Sequence, residues 1–391
     1  MAKGSVLPGE VVARRDPETG VRLWQVTNDA SINHNFYFLT PSMTPDGASV
    51  LFASNRGGAT NFYQAGFPQG DIRQLTDGDE IHGYSATLGG NGATLYFTQG
   101  GEVRALDMAS LEERVLADFG AASLGECSLN ATESLLVTAL KRDGAFHLAV
   151  IATDGTDSRI IKTSERTLIH PQFHPSQADL IAYSSDPAPR MRMIRADGSG
   201  DELLWQHGND EFIVHETFLG EDELILVRWP YALQRFSLAS RQMTEVAAFN
   251  AWHIVPTRDG RYLVADTVHP DIGLQLVSLE SGLKTTLCLP QSSSQGSQWR
   301  HDRYAEASAW APKEEDDGAE RDALSWMEIG TDTVYGPQWS HPHPAWSHDE
   351  RYVVYTSDHD GAPQVHVAEV PERRLKDLIG SSAAGSGAAA R

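Results

Sequence analysis

Cysteine is scarce in this chain: Cys127 and Cys288 are the two present in 391 residues. Two thiols build no disulfide framework, so the fold must hold by burial and hydrogen bonding, and this usage suits a reducing compartment. Positive charge is also short. Lysine and arginine number 31 against 53 acidic residues, a net charge of −22. That balance argues against nucleic acid or an anionic membrane surface as a partner. It also sets a condition. A small anionic substrate would need a local cluster of cations, or a metal, inside an acidic molecule. No apolar run approaches the length of a membrane span. The opening Met1-Ala2-Lys3-Gly4-Ser5 lacks the apolar stretch of a secretory signal, and the expected location is the cytoplasm. Long helical periodicity is missing as well.

What is present is a repeat. A polar turn followed by a short apolar strand occurs at Thr44-Pro45-Asp46-Gly47 before Val50-Leu51-Phe52. It returns at Leu88 to Gly92 before Leu95-Tyr96-Phe97, from Asn130 to Thr138, and at His174-Pro175-Ser176 before Ile181-Ala182-Tyr183. Phe218 to Asp222, Thr257 to Gly260 and Trp346 to Glu350 open the remaining three units. Seven units, most spaced about 40 to 45 residues apart, match the four-stranded blade of a β-propeller. Within the units, runs such as Asn61–Ala65 with Ile72–Thr76 read as hairpins. The expected fold is therefore all-β, a seven-bladed propeller forming one domain over 1–379. Radial closure is favoured over a sandwich because it leaves few free edges. One interval is about twice the usual length, and it predicts a rim insertion at about 290–336, with a flexible tail at 380–391.

The chain is arranged around Gln338-Trp339-Ser340-His341-Pro342-His343-Pro344. The prolines forbid a helix, so two histidines at i and i+2 share one face with Gln338 nearby. Imidazole is the commonest protein ligand for divalent transition metals. Alone, such a pair is more often two surface residues in a proline-rich loop. The repeat changes that reading, because histidine recurs in matching places before the strand units: His34, His82, His170, His215 and His253. In a propeller, matching places meet at one mouth of the central channel, so the register predicts a ring of imidazoles.

These residues also carry a family likeness. The chain resembles oligogalacturonate lyase, a seven-bladed propeller family of pectin breakdown, over nearly its whole length. The likeness runs through Met1 to Gly4, His34-Asn35-Phe36-Tyr37, Gln74 to Gly78, His170-Pro171, Arg190-Met191, His215-Glu216, and Gln338 to Pro344 with Tyr355 to Asp358. The resemblance implies manganese held by His253, Gln338, His341 and His343, with His215 as catalytic base and Arg190 assisting. His34, His82 and His170 are expected to bind substrate. One departure concerns the arginine. The family surrounds it with acidic residues and a second histidine-containing loop, whereas here Ser184 to Pro189 leads into Arg190.

The implied chemistry is self-consistent. Removing the C5 proton of a 1,4-linked uronate adds charge beside a carboxylate, and a divalent ion can spread that charge. An arginine offers a planar double donor, and a neutral histidine can take the proton. The expected activity is metal-dependent β-elimination of di- and trigalacturonate, releasing 5-keto-4-deoxyuronate. Two alternatives stand beside it: a propeller lyase for another oligouronate, and a non-enzymatic propeller binding module. A propeller-borne serine peptidase is excluded by length and by the missing G-x-S-x-G elbow.

Overall fold

The computed structural model describes residues 1–208, 210–268, 270–293 and 340–378. The described residues form seven antiparallel sheets, five of four strands and two of five, and the expected seven-bladed propeller is what the chain builds. Within the blades the strand order follows the sequence from channel to rim. Each of the seven turn-and-strand units supplies the second strand: Ser49–Ser54, Thr94–Gln99, Leu135–Arg142, Leu180–Asp186, Glu223–Arg228, Tyr262–Thr267 and Tyr352–Ser357. The bulk of the expected insertion, from residue 294 on, lies outside the described residues, as do the tail at 380–391 and Gln338. Among the described residues the one helix is Glu372–Asp377, and no helix is long and apolar enough to cross a membrane.

The turns recur because one local solution is reused. In the first blade Asp46 Oδ1 accepts from Thr44 Oγ1 at 2.7 Å and from the Ala48 N–H at 3.0 Å. Thr257 and Asp259 repeat this in the sixth blade, and Ser347 with Asp349 in the seventh. Gly47 sits at φ 69° and Gly260 at φ 66°, where a side chain would be strained. In the fourth blade His174 takes over: its Nδ1 accepts from the Ser176 and Gln177 N–H groups, and its Nε2 reaches the Glu221 carbonyl.

Burial then locks blade to blade. Seven apolar clusters each span two neighbouring sheets, for example Trp229, Leu233, Trp252 and Leu263 between the fifth and sixth. A central strand is therefore buried on both faces and reads as a continuous apolar run, as in Ser49–Ser54. The ring closes through distant chain ends. Val12–Arg15 and Arg22–Gln25 complete the seventh sheet outside Gln364–Glu369, while Val6–Leu7 adds an outer fifth strand to the first blade.

His366 lies in that closing sheet, opposite Gln25 on one side and Tyr355 on the other. Its ring stacks on Tyr355 at 5.3 Å. Burial, helped by Arg14 and His359, pushes its pKa down to about 3. The unfolded chain would bind this proton below about 6.5 while the folded chain refuses it. Stability contributed by the neutral ring is complete above that pH and is lost as pH falls towards about 3, at ~1.4 kcal/mol per pKa unit. His366→Phe keeps the stack and removes the titration. Its melting temperature should fall less than that of the parent between pH 7 and pH 5; an equal fall in both proteins would show that another group governs acid unfolding.

Candidate active site

The histidine ring is made by broken register. In blades three to six the innermost strand pairs normally, skips, and resumes one residue out of step. The residues left over are Gly125-Glu126, His170-Pro171, His215-Glu216 and Trp252-His253. A bulge bends its strand and re-aims the freed side chains. His170 and His215 take φ 52° and 55° there, and His343 takes 44° at the start of the seventh blade. Non-glycine residues in this region cost ~1–2 kcal/mol each, a strain that proteins concentrate at functional sites. The expected loop positions are thus corrected in part: His34, His170, His215 and His253 belong to innermost strands. Pro171 and Glu216, within the bulges, disguise those strands as loops.

The rings meet. His253 and His343 have centroids 3.9 Å apart, His253 and His341 5.7 Å, and His215 and His253 4.4 Å. His170 lies 6.3 Å from His215. Tyr84 bridges to His34, at 4.3 Å from that ring and 5.1 Å from His343. His82 is close enough to His34 to help depress its pKa, which burial first of all takes down to about 4. Tyr37, Phe38 and Tyr84 form an apolar cluster among these rings. The structure therefore gathers His34, His82, His170, His215, His253, His341 and His343 around one mouth.

Four of the imidazoles share a tautomer. Nδ1–H faces an oxygen in each: Asn35 O for His34 at 2.9 Å, Glu126 Oε1 for His170 at 2.8 Å, Asp266 Oδ2 for His253 at 2.8 Å, and His341 O for His343 at 3.1 Å. Nε2 is left with its lone pair in each case, the form in which imidazole binds a metal. For His34 and His343 that Nε2 is buried without a hydrogen-bond partner. An unsatisfied buried acceptor costs ~1–3 kcal/mol, so a cation at His343 would complete what the protein leaves open. Among the described residues no three His, Cys, Asp or Glu donors already converge as a cation site; His253 and His343 lean together, their rings tilted by 36°. Filling the site requires these rings to turn, and the donor set suits a first-row divalent ion.

Asp266 was not legible as a site residue. It is wholly buried and accepts from the His253 N–H at 2.6 Å, the His253 ring, and the His343 N–H at 3.2 Å. Burial pushes its carboxyl up to about 7 against these donors, and burial likewise holds His253 neutral, well below the ordinary histidine range. Asn35 makes the companion link, donating from Nδ2 to the His343 carbonyl at 2.7 Å.

His215 lies against His253, 4.4 Å between ring centroids, on the side of Phe38 and Trp252. Its Nδ1 is buried without a hydrogen-bond partner. Burial, then repulsion from His253, His170 and Arg190, holds its pKa well below the usual value, so the ring is neutral near neutral pH. Trp252 and Phe38 pack edge-on against it at 4.8 and 5.4 Å. Arg190 is buried, pairs with Asp186, and donates from Nε to Glu216 Oε1 at 3.2 Å. Burial alone would lower its pKa, and the two carboxylates more than reverse that. Its backbone N–H donates to His207 Nε2 at 2.9 Å. The departure expected around the arginine is therefore absent: acids and a second histidine do surround it.

No protein-family model matches the chain. Two curated proteins do align with it almost from end to end. The chain is similar to oligogalacturonate lyases. It is 22% identical over 408 residues to the oligogalacturonide lyase of Pectobacterium atrosepticum, covering 95% of this chain and 99% of that protein. It is 23% identical over 416 residues to the oligogalacturonate lyase of Dickeya dadantii, with the same coverage. A solved oligogalacturonate lyase in complex with manganese superposes with a TM-score of 0.78 at 19% identity, over 96% of this chain and all of that one. Identities this low carry the fold and leave the roles of single residues to the geometry above.

Asp266→Asn should lower affinity for a divalent cation by ~10- to 100-fold, the usual effect of losing the carboxylate behind a ligating histidine. Calorimetric titration with manganese measures it. Unchanged affinity would remove Asp266 from the account.

Proposed function

We propose that this chain is a divalent-metal-dependent lyase that splits di- and trigalacturonate by β-elimination, releasing 5-keto-4-deoxyuronate, in the cytoplasm. The carrying observation is the convergence, at one mouth, of metal-ready imidazoles with a further neutral histidine and a buried arginine. The full-length likeness to oligogalacturonate lyases supports the same reading. The manganese in the related structure makes that ion the first choice. His253, His341 and His343 would hold it, with Gln338, outside the described residues, as a fourth donor. When bound, such an ion supplies Lewis-acid stabilisation of charge developing on a uronate carboxylate.

The chain's own groups do the rest. His215 accepts the C5 proton; its neutral ring and orphaned Nδ1 suit a base. Phe38 and Trp252 keep water from that ring. Arg190 orients the carboxylate. Because Asp186 and Glu216 already share its charge, it holds position more than it supplies net positive potential, and the cation must meet the substrate's charge. His34, His82 and His170 line the mouth for the neighbouring sugar.

Incubation with digalacturonate should raise the ultraviolet absorbance of a conjugated 4,5-unsaturated uronate. A saturated, hydrolysed product would contradict the lyase reading. Turnover restricted to another oligouronate would transfer it to that sugar, and no turnover on any uronate would favour a binding module. His215→Ala should lower kcat by ~100- to 10,000-fold while metal content stays level; normal turnover would leave the base unassigned. Arg190→Ala should raise KM and lower kcat together. It should also lower the melting temperature, because Glu216 is left buried and unpaired.

A further inference from the structure

β-Elimination moves two protons, and the residues assigned so far account for one. The C5 proton goes to His215. The C4–O4 bond then breaks with its electron pair passing to O4, which leaves as the anomeric oxygen of the neighbouring sugar. That oxygen is a poor leaving group unless a proton reaches it. Arg190 cannot donate one, since a guanidinium does not deprotonate in proteins, and His253, His341 and His343 are committed to the cation.

We propose that Tyr37, held in place by the buried Glu126–His170 pair, is the acid that protonates the departing O4; this rests on the lyase reading above. Tyr37 stands at the centre of the mouth. Its ring lies parallel to His170 at 5.4 Å, and 6.1 and 5.5 Å from His253 and His343. Its hydroxyl is 3.5 Å from His170 Nε2. His170 Nδ1 lies 2.8 Å from Glu126 Oε1. A carboxylate can only accept, so the Nδ1 proton is fixed between these two groups and Nε2 faces the phenol as an acceptor. Three blades contribute one residue each to this chain. Glu126 and His170 occupy neighbouring bulges, so the strained register that aims the base also builds the support of the acid.

Burial first of all, with Glu126 beside it, holds the Tyr37 phenol well above its ordinary pKa, so it keeps its proton at neutral pH and gives it up only to an oxygen that is becoming an alkoxide. The step balances. The Tyr37 O–H turns from its long 3.5 Å contact with His170 Nε2 to protonate O4, the C4–C5 double bond forms from the C5–H electrons, and His215 ends the step with one proton more while Tyr37 has one fewer. Exchange with water returns both to their starting forms. Tyr37 is the catalytic member; Glu126 and His170 are positioning residues.

The test compares two leaving groups on manganese-loaded full-length protein. One substrate is digalacturonate. The other is a galacturonide with an aryloxy group at C4, whose aryloxide departs without a proton. Tyr37→Phe should slow digalacturonate by ~100- to 10,000-fold, yet stay within about 3-fold of the parent on the aryloxy substrate. The second rate also shows that fold, metal and base survive the change. Glu126→Gln should shift digalacturonate in the same direction by less. Equal losses on both substrates would make Tyr37 a packing residue, and no loss on digalacturonate would exclude it as the acid; either overturns the proposal. If the parent protein yields unsaturated product from neither substrate, the lyase reading itself fails.

Discussion

At the channel, the innermost strands of four consecutive blades give up a rung of their ladders. This constraint governs the rest of the site. An unbroken inner strand would alternate its side chains between the two inter-blade cores, where an imidazole finds only apolar neighbours. Skipping one residue frees Glu126, His170, His215 and His253 from that alternation and turns them towards one another. The cost is local, in residues such as His170 and His215 held at positive φ. It is tolerated because the inner strand stays anchored beside the skip, with Leu124, Ile169 and Val214 buried in the apolar clusters between the sheets.

Electrostatics at the mouth follow from burial more than from net charge. His34, His215, His253 and His343 are held neutral by desolvation first of all. The buried Arg190 guanidinium is matched by Asp186 and Glu216, and Asp266 and Glu126 stand behind two of the rings. The protein thus presents lone pairs and carboxylates at a place proposed to receive an anion. A bound cation would reconcile these facts, and it would let a chain of net charge −22 hold the proposed uronate without a basic surface.

The blade count was legible because its signal is local. Thr44-Pro45-Asp46-Gly47 and Thr257-Arg258-Asp259-Gly260 announce a turn whose hydrogen bonds lie within a few residues, and the apolar strand follows at once. Closure was not legible. The pairing of Arg22–Gln25 with Gln364–Glu369 joins residues at opposite ends of the chain, and neither segment carries a mark of its partner. The histidines were legible as a set, since they recur in register, but their strands were hidden by the bulges. Asp266 and Glu126 carried no signal at all. Each sits in a strand whose pattern reads as plain core, and its role appears only when Asp266 is seen beneath His253 and Glu126 beside His170. Arg190 was legible as a residue and not as a pair, because Glu216 reaches it from the next blade.

The account turns on a cation seated on the imidazoles of blades six and seven. The most direct measurement is anomalous diffraction from crystals grown with manganese. The account predicts a single strong anomalous peak within coordination distance of His253, His341 and His343, with those rings turned so that their free nitrogens point to it. A peak elsewhere in the channel, or an ordered mouth with no peak at saturating manganese, would contradict it.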